Sequence, residues 1–164
     1  MKKIYLDMTK ATMCIGAVVA DAEVIPAGAV VSSMSVKHKN NEYERYAREY
    51  DIHFIFDDKV PVVDFYTIPM VELFATDSEG GYIGSVGQAT DLQKEIPVCY
   101  IDKDKNCYLI AESGKEFLDK VLQWKSNLKS YAAIEFYGSL EEAKEKYEFL
   151  DREALEQELR NIQP

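Results

Sequence analysis

The stretch that decides the fold runs from Pro69 to Trp124. It opens with Pro69-Met70-Val71-Glu72-Leu73-Phe74-Ala75-Thr76, followed by Asp77-Ser78-Glu79-Gly80-Gly81 and then Tyr82-Ile83-Gly84-Ser85-Val86. Glycine supplies the positive φ that a tight reversal needs, so the middle piece reads as a turn between two strands. In the first strand Val71, Leu73 and Ala75 alternate with Met70, Glu72, Phe74 and Thr76, which predicts two opposite faces. After a polar spacer over 87–96, read as a surface loop, Pro97-Val98-Cys99-Tyr100-Ile101 and Cys107-Tyr108-Leu109-Ile110-Ala111 flank the turn Asp102-Lys103-Asp104-Lys105-Asn106. This is a second hairpin. Ser113-Gly114-Lys115-Glu116 then has capping-box spacing. Phe117, Leu118, Val121, Leu122, Lys125 and Leu128 follow with helical period, with Trp124 beside the stripe.

Outward from this centre the pattern weakens. Asn40 or Asn41 caps a helix over 42–50, in which Tyr43, Tyr46, Ala47 and Tyr50 share a face suited to packing on a sheet. His53 to Phe56 reads as a short strand, and Pro61 makes 60–67 an edge strand or a loop. Toward the N-terminus, Ile4 to Met8 and Val30 to Val36 are strand candidates, with Pro26 and Gly28 marking a turn before the latter. Ser139-Leu140-Glu141-Glu142 is a second capping box, opening a helix to about Leu150, and Asp151 caps a last helix carrying Leu155, Leu159 and Ile162. The reading is a single α+β domain over 1–164: an antiparallel, twisted sheet with helices packed on one face, a core over 52–128, and a helical C-terminal extension over 139–164.

The chain has 164 residues, ample for one buried core, and a net charge of −10. That charge argues against nucleic acid and against an anionic membrane as partners, since both are polyanions. No apolar run reaches the roughly 18 residues that span a bilayer. Lys2 and Lys3 followed by 11–22 resemble a secretion signal, but Asp7, Lys10 and Asp21 interrupt it. Three cysteines, Cys14, Cys99 and Cys107, make no disulfide framework and suit a reducing cytoplasm. Cys99 and Cys107 flank one hairpin and read as small buried hydrophobes.

The sequence shows no reaction centre. The two histidines, His38 and His53, have no zinc-ligand spacing with any cysteine. The stretch from Asp102 imitates a calcium loop, but its sixth position is Cys107 and its twelfth is Ser113, where glycine and glutamate belong. Gly80, Gly81, Gly84 and Gly87 match no phosphate-binding pattern and read as turn or close-approach residues. No G-x-S-x-G occurs. No cofactor or metal is expected.

The charge is segregated. Eight acids and two bases lie between Asp57 and Ile96, and eight acids and four bases lie from Ser139 to the end, so the remainder is balanced. Segregated acid suits electrostatic docking of a basic partner. Asp77, Glu79, Asp91 and Glu95 are the candidate contacts.

The segments 71–84, 97–102 and 108–118 together resemble the SUKH superfamily. The pattern is an apolar strand, an Asp-x-x-Gly-like turn, a returning strand, a Pro-Val-x-Tyr strand, and a helix announced by a serine before a Phe-Leu pair. The resemblance covers under half of the chain, and the family's opening is not recognisable in 1–60. It implies a bacterial immunity protein that neutralises a cognate toxin by binding it, with no catalytic residues. A cytoplasmic, non-enzymatic protein that binds a basic toxin domain is therefore the expectation. A regulatory or scaffolding module with several weaker partners and an unrecognised carboxylate-using enzyme stay open as alternatives.

Overall fold

The computed structural model describes residues 2–9, 22–87 and 95–151. It is α+β with a mostly antiparallel sheet. The strands are β1 (Lys2–Asp7), β2 (Ala22–Ala27), β3 (Ala29–Val31), β4 (His53–Phe54), β5 (Tyr66–Ile68), β6 (Val71–Thr76), β7 (Tyr82–Val86), β8 (Val98–Ile101), β9 (Cys107–Ala111), β10 (Lys129–Ser130) and β11 (Glu135–Tyr137). The α-helices among the described residues are α1 (Asn41–Tyr50), α2 (Gly114–Asp119) and α3 (Leu140–Lys146).

The two hairpins form the centre. Strands β6, β7, β8, β9 and β10 are consecutive antiparallel neighbours. The outer edge of β6 is divided between two short strands. β3 pairs in parallel with Val71–Leu73, and β4 pairs antiparallel with Ala75 and Thr76. Among the described residues of the first forty, β3 is the strand that joins this sheet, shorter than the expected 30–36. β1 and β2 pair with each other in parallel, and β5 pairs with β11.

Two β-bulges correct the simple alternation. The register slips once between Leu73 and Ala75 and once between Val98 and Cys99. Both slips border the cross-strand row Leu73–Gly84–Cys99–Leu109. An extra residue in one strand reverses the phase beyond it. Val71 and Leu73 therefore join Cys99, Ile101, Phe65 and Ile134 in one buried cluster. Ala75, expected beside them, lies instead with Ile83, Val98, Tyr100, Ile110 and Ala111 in the other. Tyr46, Tyr50, Phe117, Val121 and Trp124 complete that cluster. The tyrosine stripe of α1 thus packs inward, with Tyr46 edge-on to Phe54 at 5.6 Å.

The helix after β9 is shorter than its sequence period suggests. Ser113 Oγ accepts the Glu116 N–H at 3.1 Å, so the serine half of the capping box forms, while Glu116 Oε2 reaches past the cap residue to accept the Glu112 N–H at 3.2 Å. α2 ends at Asp119, and a 3-10 helix, Val121–Ser126, continues with a non-helical Gln123. Phe117, Val121 and Trp124, spaced i, i+4 and i+7, face inward, and Leu118 and Leu122, one position beyond the first two, are exposed. Ser139 likewise caps α3, whose Ala143 packs with Tyr5, Ala27, Tyr66 and Ile68 in a third cluster. The helix expected beyond Asp151 lies outside the described residues, as do Cys14 and most of the loop before β8.

Candidate functional site

The end of the sheet where β6 turns into β7 carries the densest polar network. Asp77 caps its own turn: Oδ1 accepts the N–H of Gly81 at 2.7 Å and of Glu79 at 3.2 Å. Oδ2 accepts the Tyr100 hydroxyl at 2.7 Å from across the sheet. Gly80 turns the chain with φ of 85°, and a Cβ at Gly81 would overlap the Tyr100 ring. The glycine pair is thus required by turning and by close approach, as its spacing suggests.

Asp51 completes the network from α1. It sits at the C-terminal cap in the left-handed region, φ 55°, which aspartate tolerates better than most residues. Its carboxylate accepts the backbone N–H and hydroxyl of Ser78, the latter at 2.7 Å, and the Lys125 ammonium at 2.6 Å, and it lies 2.9 Å from His53 Nε2. Burial disfavours ionisation of Asp51, but the bonds from Lys125, Ser78 and His53 outweigh it and hold the group down at about 2. Lys125 Nζ also lies 3.5 Å from Asp77 and 3.9 Å from Glu79. Trp124 Nε1 donates to the Tyr50 carbonyl at 2.7 Å, which ties the 3-10 helix to α1. The network is a clamp joining three elements. Its lysine neutralises acid that the sequence leaves apparently free.

The four candidate contacts do not form one patch. Asp77 is buried, with its side chain closed to solvent, and it shapes the turn from below. Glu79 is exposed on that turn. Glu95 is exposed near the start of β8, at the opposite end of the strands from Glu79. Asp91 lies outside the described residues. The rim around Glu79 is extended by residues the charge count did not single out. A Cβ on Gly80 would lie 3.8 Å from the Lys103 Cβ, so the two hairpin turns abut. The second turn exposes Asp104, while Asp102 Oδ1 is engaged by the N–H groups of Asp104 and Asn106, both at 2.9 Å. Asp64, three-quarters exposed, reaches the turn through Lys105 at 3.4 Å.

Two concavities accompany the rim. One, of about 510 Å³, lies between β3, Val63–Tyr66 and the start of α3. The other, of about 420 Å³, lies between β9 and the 3-10 helix and includes Glu116 and Lys120. Lys120 and the Glu112 N–H hold Glu116 below the usual carboxylate range, and tyrosines hold Glu135 low, through bonds of 2.6 Å from Tyr147 and 2.7 Å from Tyr137. Carboxylates held low are matched to ion pairing rather than to proton donation near neutral pH. No group of three His, Cys, Asp or Glu set to hold a metal ion occurs among the described residues. No helix among them is long and apolar enough to cross a membrane. Cys99 and Cys107 are free thiols on the cluster of Val71 and Leu73; in register Cys99 pairs with Leu109 and Cys107 with Ile101, but the two side chains meet through a hydrogen bond that pushes the Cys99 thiol up and the Cys107 thiol down.

No family model, curated protein or solved structure matches the chain.

Proposed function

We propose that the protein is a non-enzymatic binding module of immunity type, which neutralises a basic toxin domain by direct contact in the cytoplasm. The observation that carries this reading is the rim at one end of the sheet. Two abutting turns hold Glu79 and Asp104 outward, with Asp64 beside them, on a base whose own polar groups are already bonded. Exposed charge on a stiff base attracts an oppositely charged protein without a large ordering cost. In this reading Asp77 positions Glu79 and does not itself touch the partner. The acidic excess of the sequence over 139–164 adds to the long-range field.

The test is capture of partners by the tagged chain from its source cell, at low and moderate salt, with stoichiometry measured by mass spectrometry. One basic protein held near one-to-one is expected. The paired substitution Glu79→Lys and Asp104→Lys should weaken that capture by roughly tenfold, about 1.4 kcal/mol, with an unchanged melting temperature. The loss should shrink at high salt, where exposed charges are screened. Several substoichiometric partners that wash off with salt would replace this reading with a regulatory module. Glu95→Lys alone tests whether the far end contributes.

A further inference from the structure

Among the described residues no strand pairs with the outer edge of β3. In its parallel register with β6, the Gly28 carbonyl accepts the Val71 N–H at 3.0 Å and the Ser32 N–H donates to the Leu73 carbonyl at 2.8 Å. Gly28, Val30 and Ser32 therefore bond toward β6. Alternation turns the N–H and C=O of Ala29 and Val31 to the other side. Among the described residues no backbone or side chain meets those four groups. Proteins usually blunt such an edge with proline, lysine or a covering segment. The strand Ala29-Val30-Val31 carries neither residue, and the 510 Å³ cavity lies against it.

The opposite wall is Val63–Tyr66, whose first three residues belong to no ladder. The two walls are pinned at their base. The Gly28 N–H donates to the Thr67 carbonyl at 2.7 Å, and Thr67 Oγ1 donates to the Gly28 carbonyl at 2.9 Å. Beyond that pin no backbone bond joins the walls among the described residues. The charged residues of the lining are Asp64 and Glu141, both acidic and exposed. Asp64 also reaches Lys105 of the second turn, so the groove opens onto the acidic rim.

We propose that this groove is a strand-addition site for an extended, basic segment of a protein partner. Ala29 and Val31 supply the main-chain bonds, and Asp64 and Glu141 receive a lysine or arginine side chain. Strand addition takes its affinity from the main chain and its selectivity from alternate side chains. The lining charge selects the occupant. A second copy of this chain, with net charge −10, would bring like charge to an acidic groove. This proposal deepens the binding reading and rests on its basic partner.

The test uses the full chain, labelled with nitrogen-15, and a capped octapeptide of alternating valine and lysine. Fast-exchange binding is expected, with the amide shifts of Ala29 and Val31 leading and with slowed hydrogen exchange at those two amides. The same peptide N-methylated at alternate amides, and a valine–glutamate peptide, should each bind at least about tenfold more weakly. Val31→Pro removes only an outward N–H, so it should abolish binding while the Val71 and Leu73 amides keep their positions. Glu141→Lys, on the surface, should weaken binding about tenfold and serves if Val31→Pro fails to fold. Binding that leaves the Ala29 and Val31 amides unmoved would overturn the proposal as non-specific attraction to an acidic protein. So would no binding at millimolar peptide, or shifts at these amides that track protein concentration without peptide, which mark a second copy. A failed peptide titration beside successful one-to-one capture would remove the groove and leave the binding reading intact. Groove binding without any captured partner would do the reverse.

Discussion

The turn network and the β3 groove are both acidic, yet they differ in how far their polar groups are satisfied. At the turn, Asp77 accepts three bonds and Asp51 is met by Ser78, Lys125 and His53. Among the described residues Glu79 points outward there, with only Lys125 at 3.9 Å beside it. At the groove, the outward backbone groups of Ala29 and Val31 meet no partner among the described residues, and the acids that line it stand at its rim. A count of charges in the sequence cannot separate these cases. A satisfied carboxylate supports the fold, and a surface becomes available for binding where groups remain unmet.

The sharpest way to break this contrast is through stability. Trp124 is 2% exposed, stacks edge-on with Tyr100 at 5.2 Å and bonds the Tyr50 carbonyl. Trp124→Ala should cost about 3–5 kcal/mol in urea unfolding followed by circular dichroism. Gly81→Ala drives a methyl into the Tyr100 ring and should cost about 1–3 kcal/mol. Glu141→Lys at the groove should change stability by less than about 0.5 kcal/mol. If the groove substitution cost as much as Gly81→Ala, the division into a supporting region and a binding region would be wrong.

Some of this architecture is readable in the sequence. Asp77-Ser78-Glu79-Gly80-Gly81 and the Asp102 turn announce their hairpins because turn chemistry is local. Asn40, Ser113 and Ser139 announce helix starts for the same reason, and each side chain accepts a backbone N–H two or three residues on. The bulges are not readable. One additional residue among apolar neighbours leaves the composition unchanged, so Ala75 reads as a partner of Leu73 until pairing reveals the slip. Leu118 and Leu122 misled because each follows an inward residue, Phe117 or Val121, by one position and so shares its helical period while lying on the margin of the apolar stripe. Asp51 and Lys125 lie 74 positions apart, and only the fold makes them a pair. The groove is harder still, because 29–31, 63–66 and the start of α3 are brought together solely by tertiary structure. Of the candidate contacts, the sequence located Asp77 and Glu79 on one turn but could not show that one points in and the other out.

Asp51 offers a smaller and more specific test, because its role in the clamp depends on its charge. Its folded value of about 2 lies below the ordinary 3.8. The unfolded chain therefore takes up the proton first as acid is added, and the stabilisation is complete above the ordinary value. It is lost as pH falls through 3.8 toward 2. The full shift corresponds to roughly 2.4 kcal/mol, but Asp51 is a quarter exposed and Lys125 39% exposed, so solvent screening reduces it to about 1 kcal/mol. The substitution Asp51→Asn keeps the left-handed backbone, which asparagine also tolerates, and so removes charge with little change of geometry. The variant should be about 1 kcal/mol less stable than the parent at neutral pH. The gap should hold down to about pH 5 and close by about pH 2. A gap that stayed constant across this range would show that the clamp works through hydrogen-bond geometry alone, and that Lys125 contributes as a donor rather than as a charge.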